Sequence, residues 1–95
     1  MIRAKPNVGD PATIALEALA ATLSDQRRAE RLLALTGIGP AELRARAGDP
    51  ALLVAVLGFL ENHEPDLVAV AAAIGATPGA LIAARVALDD EGAEQ

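Results

Sequence analysis

Residues 51–60 (ALLVAVLGFL) hold no polar side chain, and they constrain this chain more than any other stretch. A helix that is apolar on every face needs cover on every face, so it belongs at the centre of a bundle. The run is far short of the roughly 18 apolar residues that span a membrane. Asp49-Pro50 before it reads as a helix start. The carboxylate serves as N-cap, and proline takes the first helical position, where a missing N–H costs nothing.

The covering elements read as helices too. The chain is 53% hydrophobic but 1% aromatic, with Phe59 alone in that class. Ala and Leu dominate and are strong helix formers, whereas strands draw on β-branched and aromatic residues. No segment alternates with period two over a useful length. Asp10-Pro11 opens a first helix running to about Leu23, with Leu16, Leu19, Ala20 and Leu23 as its stripe, widened by Ile14, Ala18 and Ala21. Ser24 reads as the cap of a second helix, with Asp25 in its positively polarised first turn. Its apolar stripe is Ala29, Leu32, Leu33 and Thr36, and Arg27, Glu30 and Arg31 are expected to face water. Gly37 stands where a left-handed residue closes a helix.

Pro40 opens a short third helix to about Ala47, anchored by Leu43. In the central fourth helix, Gly58 points to a neighbour approaching closely. Glu64-Pro65 starts a fifth, with Leu67, Val68, Ala71 and Ile74 inward and Gly75 as terminator. Thr77-Pro78 caps a sixth, anchored by Leu81, Ile82, Val86 and Leu88. The chain therefore reads as all-α, a compact bundle of about six helices. One domain over residues 10–88 is expected between a flexible lead, 1–9, and an acidic disordered tail, 89–95.

The punctuation recurs. Asp10-Pro11 matches Asp49-Pro50, and the Gly37, Pro40, Leu43 spacing matches Gly75, Pro78, Leu81. Two readings are open: two pseudo-repeated three-helix units, each leaving an apolar face that the other covers, or generic helix punctuation that recurs by convergence.

Several classes of function are disfavoured. The net charge of −5 opposes nonspecific attraction to nucleic acid or an acidic membrane. With no Cys and one Ser (Ser24, better used at a helix end), nucleophilic catalysis has no candidate. The single histidine, His63, could join Asp66 in a mixed metal site, but catalytic zinc usually takes more than one His. A surface imidazole on the C-terminal dipole of helix four explains it better. The N-terminal residues carry charge and no apolar core, unlike a secretory signal. The expectation is a cytoplasmic, non-enzymatic module without cofactor or metal. Its partners would be other proteins or a second copy of itself, rather than a membrane or nucleic acid.

One stretch stands out chemically. Residues 32–47 (LLALTGIGPAELRARA) join two helical patterns through Gly37-Ile38-Gly39-Pro40. Between residues 26 and 47 lie Arg27, Arg28, Arg31, Arg44 and Arg46 against Glu30 and Glu42, a local balance of +3, while the rest of the chain carries −8. From Leu32 to Leu60 the run LxxxTGxxPxxLRxRAxDPxxLxxVLxFL resembles a family of small bacterial proteins known only as a domain of unknown function. That resemblance implies an all-α fold and a bacterial source, and it implies no activity. The turn alone resembles the helix-hairpin-helix motif, in which a Gly-hydrophobic-Gly turn offers backbone N–H groups to a DNA phosphate. Arg27, Arg28, Arg31, Gly37, Gly39, Arg44 and Arg46 are accordingly the candidate contacts for a partner or a phosphate. In the second half Ala76-Thr77 stands where Ile38-Gly39 does in the first, and none of the five arginines recurs.

Overall fold

The computed structural model describes residues 10–93, with side chains as far as Asp90. The expected lead, 1–9, lies outside the described residues. Six helices and no strand are present among those described: α1 (Pro11–Leu23), α2 (Gln26–Thr36), α3 (Pro40–Ala45), α4 (Pro50–Glu61), α5 (Glu64–Ala73) and α6 (Pro78–Ala93). None is long and apolar enough to cross a membrane.

α4, apolar from Pro50 to Leu60, lies at the centre, packed mainly on α6 and α1 with α5 and α2 beside it, but it is not covered on every face as expected: Ala51 and Ala55 stay exposed. It buries Leu52, Leu53, Val56, Leu57, Phe59 and Leu60. Its start forms as the Asp-Pro signal requires, the Ala51 amide donating to Asp49 Oδ1 at 3.0 Å. The short α3 lies at the margin and contributes Leu43, 1% exposed, to the core.

The registers of the outer helices differ from the sequence reading. In α1 the buried face is Ile14, Ala15, Ala18, Leu19 and Thr22, whereas Leu16 and Leu23, assigned inward, stand 41% and 38% exposed. Small residues explain the rotation. Ala15 and Ala18, both 0% exposed, let the α1 backbone come close to its neighbours, which a leucine in their place would prevent. Thr22 is buried without cost because its hydroxyl donates to the Ala18 carbonyl at 2.7 Å. In α5, Asp66 and Val70 are buried beside Leu67 and Ala71, while Val68 faces out. In α6, Leu81, Ala84 and Leu88 are inside, and Ile82 and Val86 are exposed.

Three further expectations are corrected. Residues 89–93, read as disordered tail, continue α6 to Ala93. A Cβ added at Gly58 would meet nothing within 4 Å, so no neighbour requires a glycine there. Ser24 is the last residue of the α1 end, its hydroxyl donating to the Ala21 carbonyl at 2.8 Å. The N-cap of α2 is Asp25, which accepts the Arg28 amide at 3.0 Å.

The glycine stops do behave alike. Gly37 and Gly75 have φ of 71° and 72°, the left-handed conformation that ends a helix cleanly only without a side chain. The elements after them differ in length, however: α3 has 6 residues and α6 has 16.

Candidate interaction site

The five arginines singled out by the sequence do not form one patch. Arg28 lies 3.9 Å from Asp25 in the first turn of α2. Its amide, more than its charge, holds the Asp25 carboxyl below the ordinary carboxylate value. Arg46 pairs with Glu42 at 3.4 Å and Asp49 at 3.2 Å, bracing the α3–α4 corner. Arg27 and Arg44 are exposed, with no ion pair among the described residues.

Arg31 departs most from expectation. Instead of facing water it reaches α5, where Nη2 donates to Asp66 Oδ2 at 2.6 Å. Asp66 is buried, 5% exposed, so this ion pair joins a partly exposed cation to a carboxylate inside the protein. His63 Nε2 lies 3.8 Å from the same oxygen. His63 stands exposed just past the end of α4, its amide donating to the Leu60 carbonyl at 3.0 Å, and is at the same time the N-cap position of α5. No group of three or more His, Cys, Asp or Glu able to hold a metal occurs among the described residues.

The Gly37-Ile38-Gly39 turn is largely spoken for. The Gly37 amide donates to the Leu33 carbonyl at 2.8 Å, and the Ile38 amide to Thr36 Oγ1 at 3.3 Å. Ile38 packs against the core. Gly39 has an ordinary φ of −78°, so its conformation does not demand glycine. Arg27 and Arg28 sit roughly 14 Å along α2 from Gly37 at 1.5 Å per residue. The geometry thus separates the turn from the basic start of α2.

What the fold does assemble is a cleft of about 280 Å³ between α2 and α4. Arg31, Leu35 and Thr36 line the α2 side, and Ala55, Phe59 and Asn62 the α4 side, with His63 following. Arg31 and His63 reach the same Asp66 oxygen, so they share one end of the cleft. Leu35 lies one turn further along α2 and is 74% exposed. Phe59, at 8% exposure, offers the floor the only aromatic ring of the chain. At the polar end the partly exposed Arg31 side chain donates through Nη2 to Asp66, while its Nε is buried, without a hydrogen-bond partner and out of reach from the cleft. Asn62 Nδ2 donates to the Gly58 carbonyl at 3.0 Å, which aims the amide and leaves Oδ1 to accept.

Of the sequence candidates, only Arg31 belongs to this cleft. Leu35, Phe59 and Asn62 were missed. The one signal was Leu35 itself, a large aliphatic residue off the inward stripe of α2. His63 and Asp66 do come together, at 3.8 Å, but it is Arg31 that holds the carboxylate.

No curated protein and no solved structure matches this chain significantly. The run from Leu32 to Leu60 lies within a longer match: residues 9–91 match the family described as Protein of unknown function (DUF3572), and the chain belongs to that family.

Proposed function

We propose that the protein is a non-enzymatic interaction module and that its partners, other proteins, dock at the α2–α4 cleft. The observation that carries this reading is Leu35, 74% exposed beside Arg31 and Phe59. Burying a side chain of this size from water contributes about 1.5–3 kcal/mol. Single exposed aliphatic residues, such as Leu16 or Val86, need no explanation. Leu35 differs because hydrogen-bonding groups without full complements stand next to it, the mixture from which interface anchors are built. The chemistry elsewhere supports a binding role: Ser24 is occupied at a helix end, and the arginines mostly answer acids of the same chain.

The competing reading, a phosphate contact at Gly37–Gly39, has less behind it. Two of the turn's amides already donate within the protein, and the arginines do not converge on it. A photo-crosslinking residue at position 35, compared in cells with one at Glu30 on the same helix, tests the proposal. A discrete protein adduct at 35 and none at 30 is expected. Equal labelling, or none at either, would sink it.

A further inference from the structure

We infer that two copies of this chain associate through antiparallel α6 helices, the Ile82–Val86 ridge of each copy entering the alanine groove of the other. This face lies on a different helix from those of the α2–α4 cleft, and neither role depends on the other. Residues four apart line up as ridges on a helix surface, and a row of small residues beside them leaves a groove. On α6, Ile82 and Val86 form such a ridge, 38% and 44% exposed. The adjoining row, Gly79, Ala83 and Ala87, holds only small residues, with Gly79 and Ala83 exposed. Between that row and α1 lies a groove of about 290 Å³, lined by Pro11, Ile14, Ala80, Ala83, Ala84 and Ala87 without one polar side chain. Val86 taken singly needs no explanation. In line with Ile82 and next to a groove, it is half of a fit.

The other half stands on the same helix, which argues for a second copy. A foreign partner needs only a ridge or only a groove to bind, whereas a two-fold interface must carry both on one surface. Charge argues the same way. From Gly79 to Val86 the outward face of α6 carries no charge, because Arg85 turns aside and its Nε donates to Glu61 of α4. Exposed faces elsewhere hold charged side chains, Arg27 and Glu30 on α2 and Glu42 and Arg44 on α3. Two copies of a chain with a net charge of −5 therefore approach with least repulsion at α6. Acid enters this face only at its end. Asp89 is held by Arg85 at 3.4 Å. Asp90, four residues beyond Val86 in the same ridge, is exposed with no ion pair among the described residues. An antiparallel pairing that sets Ile82 against Val86 of the other copy also sets Asp90 against its Pro78, at the positive end of that α6. A parallel pairing would bring two acidic ends together instead.

Contact through one helix per copy falls below the ~1,200 Å² of standard interfaces, so the dimer should be weak, half-formed at about 0.1 mM. Sedimentation equilibrium of the full chain over about 0.01–1 mM brackets that value. A monomer–dimer equilibrium is expected. Ala83→Glu should weaken it about tenfold or more, by placing like charges across the groove, and Asp90→Lys about threefold. Leu35→Asp, in the α2–α4 cleft, should leave it unchanged. All three positions are exposed, and circular dichroism should show unchanged helix content. Direction is read by crosslinking, because the chain has no cysteine of its own. Mild oxidation of an equal mixture of Ile82→Cys and Val86→Cys should join position 82 to position 86 above the statistical share. A chain monomeric throughout the range would overturn the inference. So would a dimer indifferent to Ala83→Glu, one lost with Leu35→Asp, or crosslinks that join like positions in preference.

Discussion

Removing either partner of the Arg31–Asp66 pair should have unequal consequences, and the inequality follows from burial. The two side chains are 2.6 Å apart, but Arg31 is 40% exposed and Asp66 only 7%. Arg31→Met leaves a carboxylate inside the protein with His63 Nε2, 3.8 Å away, and the positive end of α5, in whose first turn Asp66 lies, to answer it. Breaking a buried pair from one side costs about 3–5 kcal/mol, and the nearby imidazole places this case near 3 kcal/mol. Asp66→Ala leaves a guanidinium that water can reach, so the loss should be about 1 kcal/mol. At roughly 4–8 °C per kcal/mol for a domain of this size, the melting temperature should fall by about 12–24 °C in the first case and 4–8 °C in the second. Far-ultraviolet circular dichroism is the readout, since the chain has no Trp or Tyr for fluorescence. The double variant should resemble Asp66→Ala alone, a coupling of about 3 kcal/mol. Equal losses for the two single variants, or simple additivity, would refute the reasoning.

The register of α1 predicts that Ala18→Leu, at a position with no exposure, destabilises by about 1–3 kcal/mol through overpacking. Leu16→Gln on the same helix should stay within about 0.5 kcal/mol; urea denaturation compares them. At the α2–α3 turn, Gly37→Ala should cost about 1–2 kcal/mol because φ is 71°. Gly39→Ala, at φ −78° with open space around a Cβ, should change the melting midpoint little. Asp25 gives a pH dependence. Its lowered folded-state value means its stabilisation is present above the unfolded carboxylate range and fades as pH falls through the folded value. Asp25→Asn should therefore flatten the acid limb of a stability profile below about pH 4, and an unchanged limb would contradict the cap.

Much of this architecture can be read from the residues alone. Helix starts at Asp49-Pro50 and Thr77-Pro78 and stops at Gly37 and Gly75 are local chemistry: a carboxylate or hydroxyl beside free amides, and a backbone conformation that disfavours a side chain. The central place of α4 is largely local too, because residues 51–60 are apolar on every face, although small Ala51 and Ala55 are left exposed. Rotation of the outer helices is not local. The chain holds so much Ala and Leu that several stripes on α1 are nearly equal in hydrophobicity. The choice of Ala15 and Ala18 over Leu16 depends on how closely α4 and α6 approach. The same holds for the cleft. Arg31 and Asp66 are 35 residues apart, and nothing in either helix requires them to meet. Sequence by itself determined six helices, most of their ends and the element they surround, since those follow from hydrogen-bonding and burial within each segment. Only the tertiary structure decided which arginine would leave the solvated face, bind a buried carboxylate and line a cleft with Phe59, because that depends on the packing of three separate helices.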